Sequence, residues 1–276
     1  MKKVLSTALI LGALYGTANA APLTSPIYMP EVGKVLSNLN IGYSMAKFDK
    51  KPDGESDKLQ KGMNINLNGQ VGLMEYLSMN YNFNFDLFRK VYNEDASAKF
   101  TDFYMGLTGR FIDANANKMD VIFNIGQEES PYTESDHVYA DLTARYGLDL
   151  DVYNLGLSAG VKYVNDYENG DLKIRRDWDI HFKVENEFIF TENFTMGLDM
   201  FYNLMSQYKF KDKSGAIPDY KIKAYDEYGF NVDANYGLNE NNYVGVYFNM
   251  AFNDISNDEY KDATNYKFGV RFTSQF

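Results

Sequence analysis

Between residues 62 and 87 the chain alternates apolar and polar side chains with a period of two. Met63, Ile65, Leu67, Gly69 and Val71 share one parity; Asn64, Asn66, Asn68 and Gln70 share the other. After a break at residues 74–76 the pattern resumes, with Leu77, Met79, Tyr81, Phe83, Phe85 and Leu87 set against Ser78, Asn80, Asn82, Asn84 and Asp86. Successive side chains of a strand point to opposite faces, so each run has one apolar and one amide-rich face. Each run is about the ~9–11 residues that a tilted strand needs to cross a bilayer. A soluble sandwich has shorter strands with charge on the exposed face. An apolar face this continuous is suited to lipid, with the asparagines turned inward.

The pattern recurs along the chain, and twelve such runs are found from residue 35 to residue 276. Phe103, Met105 and Leu107 mark the fourth; Val121, Phe123 and Ile125 the fifth; Leu198, Met200 and Tyr202 the ninth. No Asp, Glu, Lys or Arg falls on the apolar face of any run. A lysine or arginine at mid-bilayer depth there would cost roughly 2–4 kcal/mol, so the repeated absence points to lipid. Asn186 is the one polar interruption. Bulk hydropathy misses such a chain because lumen residues dilute the apolar ones. The 23 Tyr and 20 Phe against a single Trp supply aromatic side chains for the two membrane interfaces.

The connections alternate in length. Long ones fall near residues 49–61, 88–101, 127–137, 165–176, 206–223 and 253–263. Short ones fall near 74–76, 112–118, 149–152, 191–193 and 239–242. Six long and five short connections put both termini on the short-turn side. The expected fold is therefore all-β: a closed antiparallel transmembrane β-barrel of about twelve strands, up-and-down, with long extracellular loops and short periplasmic turns.

Residues 1–20 read as a removable export signal. Lys2 and Lys3 precede an apolar stretch at 4–15, and Ala18-Asn19-Ala20 forms a small-x-small cleavage site. Losing the two lysines takes the formal charge from −11 to −13. Residues 21–34, with Pro22, Pro26 and Pro30, are a periplasmic segment. It either leads into the barrel or folds back into its mouth as a plug. Residues 35–276 form the barrel. No cysteine is present, which removes disulfides and thiolate metal sites, and no other metal-ligand or cofactor pattern appears. The acidic balance argues against nucleic acid as a partner.

These features resemble those of bacterial outer-membrane β-barrel proteins of the porin-like class: the signal, the amphipathic strands, and a last strand running Tyr266, Phe268, Val270, Phe272, then Ser274 and a terminal Phe276. The resemblance covers the whole mature chain. It implies residence in the cell outer membrane, contact with outer-membrane lipid and lipopolysaccharide, and recognition by the barrel assembly machinery through Phe272 and Phe276. Twelve-stranded members include narrow solute channels, nucleoside channels and an outer-membrane phospholipase.

The candidate chemistry lies on the inward parity. Strands one to three offer mainly Asn, Ser, Gly and Gln. Later strands carry Arg110, Asp120, Asp141, Arg145, Asp179, His181, Lys183, Glu185, Glu187, Asp199, Asp233 and Arg271 as constriction candidates. With Asp86, Asp102, Asp149, Asp177, Lys162, Glu227 and Lys267, the inward tally is twelve acids against six bases. The expected function is a narrow channel for ions or small hydrophilic solutes, preferring cations. Arg110, Arg145 and Arg271 would oppose that preference if they formed a ring. The alternatives are a non-conducting surface barrel whose loops adhere or anchor lipopolysaccharide, and, remotely, a hydrolase built on His137 with Ser130 or Ser135. No enzyme activity is expected. In the loops, Lys209, Lys211, Lys213, Lys221 and Lys223 suit lipopolysaccharide phosphates, whereas Glu128, Glu129, Glu134 and Asp136 stand without a nearby base in sequence.

Overall fold

The computed structural model describes residues 22–50, 58–91, 94–96, 98–129, 136–169, 172–214, 220–254 and 261–276. Twelve long strands dominate it. They are β1 (Val35–Lys50), β2 (Lys58–Met74), β3 (Leu77–Val91), β4 (Lys99–Ala114), β5 (Asn117–Glu129) and β6 (Asp136–Leu150). The second half comprises β7 (Tyr153–Val164), β8 (Trp178–Thr191), β9 (Phe194–Met205), β10 (Tyr225–Asn239), β11 (Asn242–Asp254) and β12 (Lys261–Gln275). Each pairs antiparallel with its sequence neighbours, and β1 pairs with β12 from Leu36↔Gln275 to Lys50↔Lys261, so the sheet closes. Closure matters because lipid offers no hydrogen bonds to an open strand edge. The carboxy-terminal residue completes the seam: Val35 and Phe276 exchange backbone bonds of 2.8 and 3.1 Å.

The alternation maps onto the two faces. Leu107, Phe123, Leu142, Phe182, Met200, Val246 and Phe268 are exposed on the outside, the surface that lipid covers. Asn80, Asn82, Thr108, Asp120, Thr143, Arg145 and Asn235 are buried inside. Five two-residue turns, at 75–76, 115–116, 151–152, 192–193 and 240–241, close the end that holds both termini. Asn186 keeps its outward place because Tyr153 Oη donates to it at 2.6 Å and its amide donates to the Leu198 carbonyl at 2.7 Å.

Alternation is broken at several register shifts, of which three details bear on the site. Met63 pairs with Phe88 but Asn64 pairs with Asp86, so Leu87 is a bulged residue. Leu87 and Phe88 both face outward, and Arg89 turns into the barrel. A second bulge at Phe111 puts Phe111 and Ile112 both outside. Asp177, expected inward at the head of β8, is exposed instead, because the strand starts at Trp178 and parity does not extend through the bend before it.

At the long-loop end, a small sheet grows out of the two connections that flank β8 and β9. Its strands, in order, are Tyr220–Ile222, Tyr208–Asp212, Leu172–Arg175 and Tyr167–Asn169. Its inner face buries Ile174 and Tyr208 against Tyr225 of β10 and Ala263 of β12.

Placing a charge on the lipid face tests the orientation. Phe123→Arg, at the middle of β5, is expected to lower stability in bilayers by roughly 2–4 kcal/mol. Asn124→Asp, one residue away and facing the lumen, is expected to cost far less. Urea unfolding from lipid vesicles compares the two.

Candidate functional site: the barrel lumen and its N-terminal plug

At the periplasmic end the inward charges converge on one carboxylate. Asp120, on β5, is almost wholly buried. Arg110 on β4 reaches it through Nε at 2.8 Å and Nη2 at 3.3 Å; Arg145 on β6 reaches it through Nη2 at 2.6 Å and Nε at 3.1 Å. The register sets this up, since Asp120 is the Cα partner of both arginines on the flanking strands. Two guanidinium groups on one carboxylate, with Asp113 a further 3.5 Å from Arg110, leave spare donors.

Those donors hold the N-terminal segment. Arg110 Nη2 donates to the Ile27 carbonyl at 2.6 Å, and Arg145 Nη1 donates to the Pro26 carbonyl at 2.5 Å. Pro26 and Ile27 are joined by one peptide bond, so the clamp grips consecutive carbonyls. Around it, Thr24 donates to Glu187, whose other oxygen accepts from Asn154 at 2.8 Å, and Gln275 donates to Tyr28 Oη at 2.7 Å. Leu23 and Ile27 are buried in the mouth. Two glycines make room. A Cβ on Gly147 would lie 2.4 Å from Ile27 Cγ2, and one on Gly72 would lie 2.0 Å from the Glu31 carbonyl. Residues 22–31 thus occupy the periplasmic mouth.

The middle of the lumen is polar and more open. Lys183 bridges Glu185 at 2.5 Å and Asp199 at 3.4 Å, with 39% of its side chain still exposed. His181 lies 3.4 Å from Asp141 through Nδ1, and its Nε2 is 2.9 Å from Thr143 Oγ1, which also donates to Asp141. Asp233 accepts from Asn231 and Asn235 and stands 3.9 Å from Arg271, whose Nε donates to Asn40 at 2.9 Å. On the facing wall, β1 to β3 form an amide ladder: Asn38 to Asn68, Asn40 to Asn66, Asn66 to Asn82, then Asn82 to Asp102.

At the extracellular end three cationic groups, Arg89, Lys99 and Arg176, appear that alternation alone does not place inside. Arg89, turned inward by the Leu87 bulge, pairs with Glu129 at 2.7 Å, and Lys99 joins them. Arg176, from the connection before β8, pairs with Glu128 at 2.9 Å and with Asp179, and lies over the Tyr208 ring at 4.8 Å. Lys162 also binds Glu128. The acids of the third long connection, expected to stand without a base, are therefore neutralised at Glu128 and Glu129. The bases come from strands remote in sequence. Glu134 and the Asp136 side chain lie outside the described residues.

The constriction candidates thus sort into distinct places. Arg110, Asp120, Arg145 and Glu187 surround the N-terminal segment. Asp141, His181, Lys183, Glu185, Asp199, Asp233 and Arg271 line the central lumen. Asp179 anchors the extracellular cap: its Oδ1 accepts from the Ser206 amide at 2.8 Å and hydroxyl at 2.9 Å. The three arginines form no ring, because two close on Asp120 while Arg271 is tied to Asn40 and Asp233. Asp149 sits at the rim near Lys118 at 3.6 Å. His137, expected in a loop, is buried with Nδ1 3.2 Å from the Asn165 carbonyl. Ser130 and Ser135 lie outside the described residues. Among the described residues, no group of three or more His, Cys, Asp or Glu is placed to hold a metal ion.

No family model matches the chain, and no curated protein matches it. Solved structures do. An outer membrane channel from Pseudomonas putida F1 aligns with a TM-score of 0.62 at 12% identity, over 94% of this chain and 100% of that one. The Pseudomonas putida toluene transporter TodX aligns at 0.52 and 9% identity, over 94% of each chain. The NanC porin aligns at 0.51 and 12% identity, over 84% of this chain and 98% of that one. The likeness is one of fold: this chain is a closed twelve-stranded antiparallel β-barrel, the fold that these outer-membrane channels share.

Removing the shared carboxylate isolates the clamp. Asp120→Ala leaves Arg145 buried without its anion and Arg110 with only Asp113 at 3.5 Å, and is expected to cost about 3–5 kcal/mol. The measurement is urea unfolding of the refolded barrel.

Proposed function

We propose that this protein is a narrow outer-membrane channel for ions or small hydrophilic solutes, closed on its periplasmic side by its own N-terminal segment. The observation that carries the reading is the lumen. Its inward face is polar on every strand, and at mid-height Lys183 and Arg271 keep exposed side-chain surface. Barrel interiors are polar whether open or filled, so it is the exposed surface that Lys183 and Arg271 keep at mid-height that favours a path. The plug supports the gated form of the reading, because it is held by a few hydrogen bonds, from Arg110 and Arg145 to two carbonyls and through Thr24 and Tyr28, and by small apolar contacts rather than by strand pairing. In this reading residues 1–20 are removed on export, and the barrel performs no catalysis.

Electrostatics favour cations. Among the described residues, no Lys or Arg lies within ion-pair distance of Asp102, Glu187 or Glu227, which are held by neutral donors: Asn82 and Tyr139, Thr24 and Asn154, and Asn203. Asp179, Glu185 and Asp199 are already paired. Low-dielectric walls focus the unpaired negative charge and enrich cations inside. The selectivity thus belongs to Asp102 and Glu227 rather than to Asp179 and Glu185.

Single-channel recording of refolded protein in a planar bilayer is the test. The intact chain is expected to show small or rare openings. Deleting residues 22–29 is expected to raise conductance, and Gly147→Ala, which displaces Ile27, is expected to do so in part. Absence of current from the deletion variant, with a heat-modifiable band showing that it has folded, would overturn the channel reading. In a KCl gradient, Asp102→Asn with Glu227→Gln is expected to shift the reversal potential toward zero, and Glu185→Gln to shift it less.

A further inference from the structure

The small extracellular sheet has two unlike faces. On the inner one, Tyr167, Ile174 and Phe210 sit opposite one another across three strands, and this face packs toward the mouth on Tyr225 and Ala263. The outer one is a grid of cations. Arg175 pairs with Lys209, and Lys209 with Lys221, in one cross-strand row; Lys173 pairs with Lys211 in the next. Adjacent strands lie roughly 4.7–4.9 Å apart, and like charges directly opposite destabilise a sheet. A chain selected for stability alone has no reason to stack three cations in one row.

Acids answer only part of this charge. Glu168 holds Lys173 at 2.6 Å and Lys213 at 2.9 Å; hydrogen bonds from both pull its carboxyl down to about 2. Asp166 holds Lys173 and Arg175, and Asp177 holds Lys209 at 3.0 Å. Lys211, Lys221 and Lys223 are exposed, and no described acid pairs with them. Lys211 and Lys221 lie on the outer face of the sheet, and Lys223 follows its last strand residue, Ile222.

We propose that this outer face is a binding platform for the phosphate groups of lipopolysaccharide, seated on Lys211 and Lys221 with Lys223 just beyond the strand. The proposal rests on the outer-membrane placement but not on conduction. The occupant follows from position and charge. The face is turned away from the mouth, so a solute in transit does not meet it. It stands on the long-loop rim of β7 to β10, beside the outer leaflet, where the anionic surface is lipid phosphate. Several cations spaced by a strand separation bind a lipid carrying more than one phosphate better than they bind a single free anion.

The test uses the refolded mature chain in zwitterionic detergent, with purified lipid A carrying its phosphates as the probe. Lys211→Gln, Lys221→Gln and Lys223→Gln combined are expected to weaken binding by roughly tenfold to a hundredfold. The same three positions changed to Arg are expected to bind as the parent does. Dephosphorylated lipid A and phosphatidylcholine vesicles are expected to bind neither protein measurably, and millimolar inorganic phosphate is expected not to compete. Because the glutamine variant relieves like-charge contacts, its melting temperature is expected to hold or rise, and its conductance to match the parent. Equal binding by parent and glutamine variant, or equal binding of dephosphorylated lipid A, would overturn the proposal. Full displacement by inorganic phosphate would replace the lipid with a free anion and overturn it as well.

Discussion

Backbone polar groups cannot be left unpaired in hydrocarbon, and the rest of this structure depends on that constraint. A strand that crosses lipid has no solvent to turn to, so the sheet must close, and β1 meets β12 along nearly its full length. Closure turns the usual order of a protein inside out. The apolar side chains face outward, and the interior becomes the place where charge has to be managed. Each inward strand then faces neighbours on both sides at fixed register, which determines the partners available to a lumen carboxylate.

The management is local and graded along the barrel. At the periplasmic end it is tight: one buried carboxylate holds two arginines, and their spare donors hold a segment of the same chain. In the middle it is looser, with Lys183 shared by two acids and an amide wall opposite. At the extracellular end Arg89 and Arg176 reach back from the strand ends to neutralise Glu129 and Glu128. Breaking one partner of such a buried group costs more than the pair contributes, because the remaining charge is stranded. The tight end is therefore the natural place for a closure, and the loose middle the natural place for a path.

Particular residues show where periodicity reaches its limit. Phe123, Leu142 and Met200 are outward as their parity requires, and Asp120, Lys183 and Asp233 inward. Arg89 defeats the rule because a single extra residue, Leu87, shifts the parity after it, and no local sequence signal distinguishes that bulge from continued alternation. Asp177 defeats it for the opposite reason: the strand has not yet begun. Glu128 looks unpaired along the chain because its partners, Lys162 and Arg176, lie 34 and 48 residues away.

The sequence by itself determined the class of fold, the number of crossing strands and the face of most residues between the bulges, because a bilayer enforces one rule on every strand and period-two alternation records it. It also left the chain entry at residues 21–34 open between a lead-in and a plug. Only the tertiary structure decided that Arg110 and Arg145 bind the carbonyls of Ile27 and Pro26, that Asp120 collects both arginines, and that Lys209, Lys211 and Lys221 share one face of a sheet. Those depend on register between strands, on bulges and on contacts between residues more than a hundred positions apart. Alternation within a single strand carries no information about any of them.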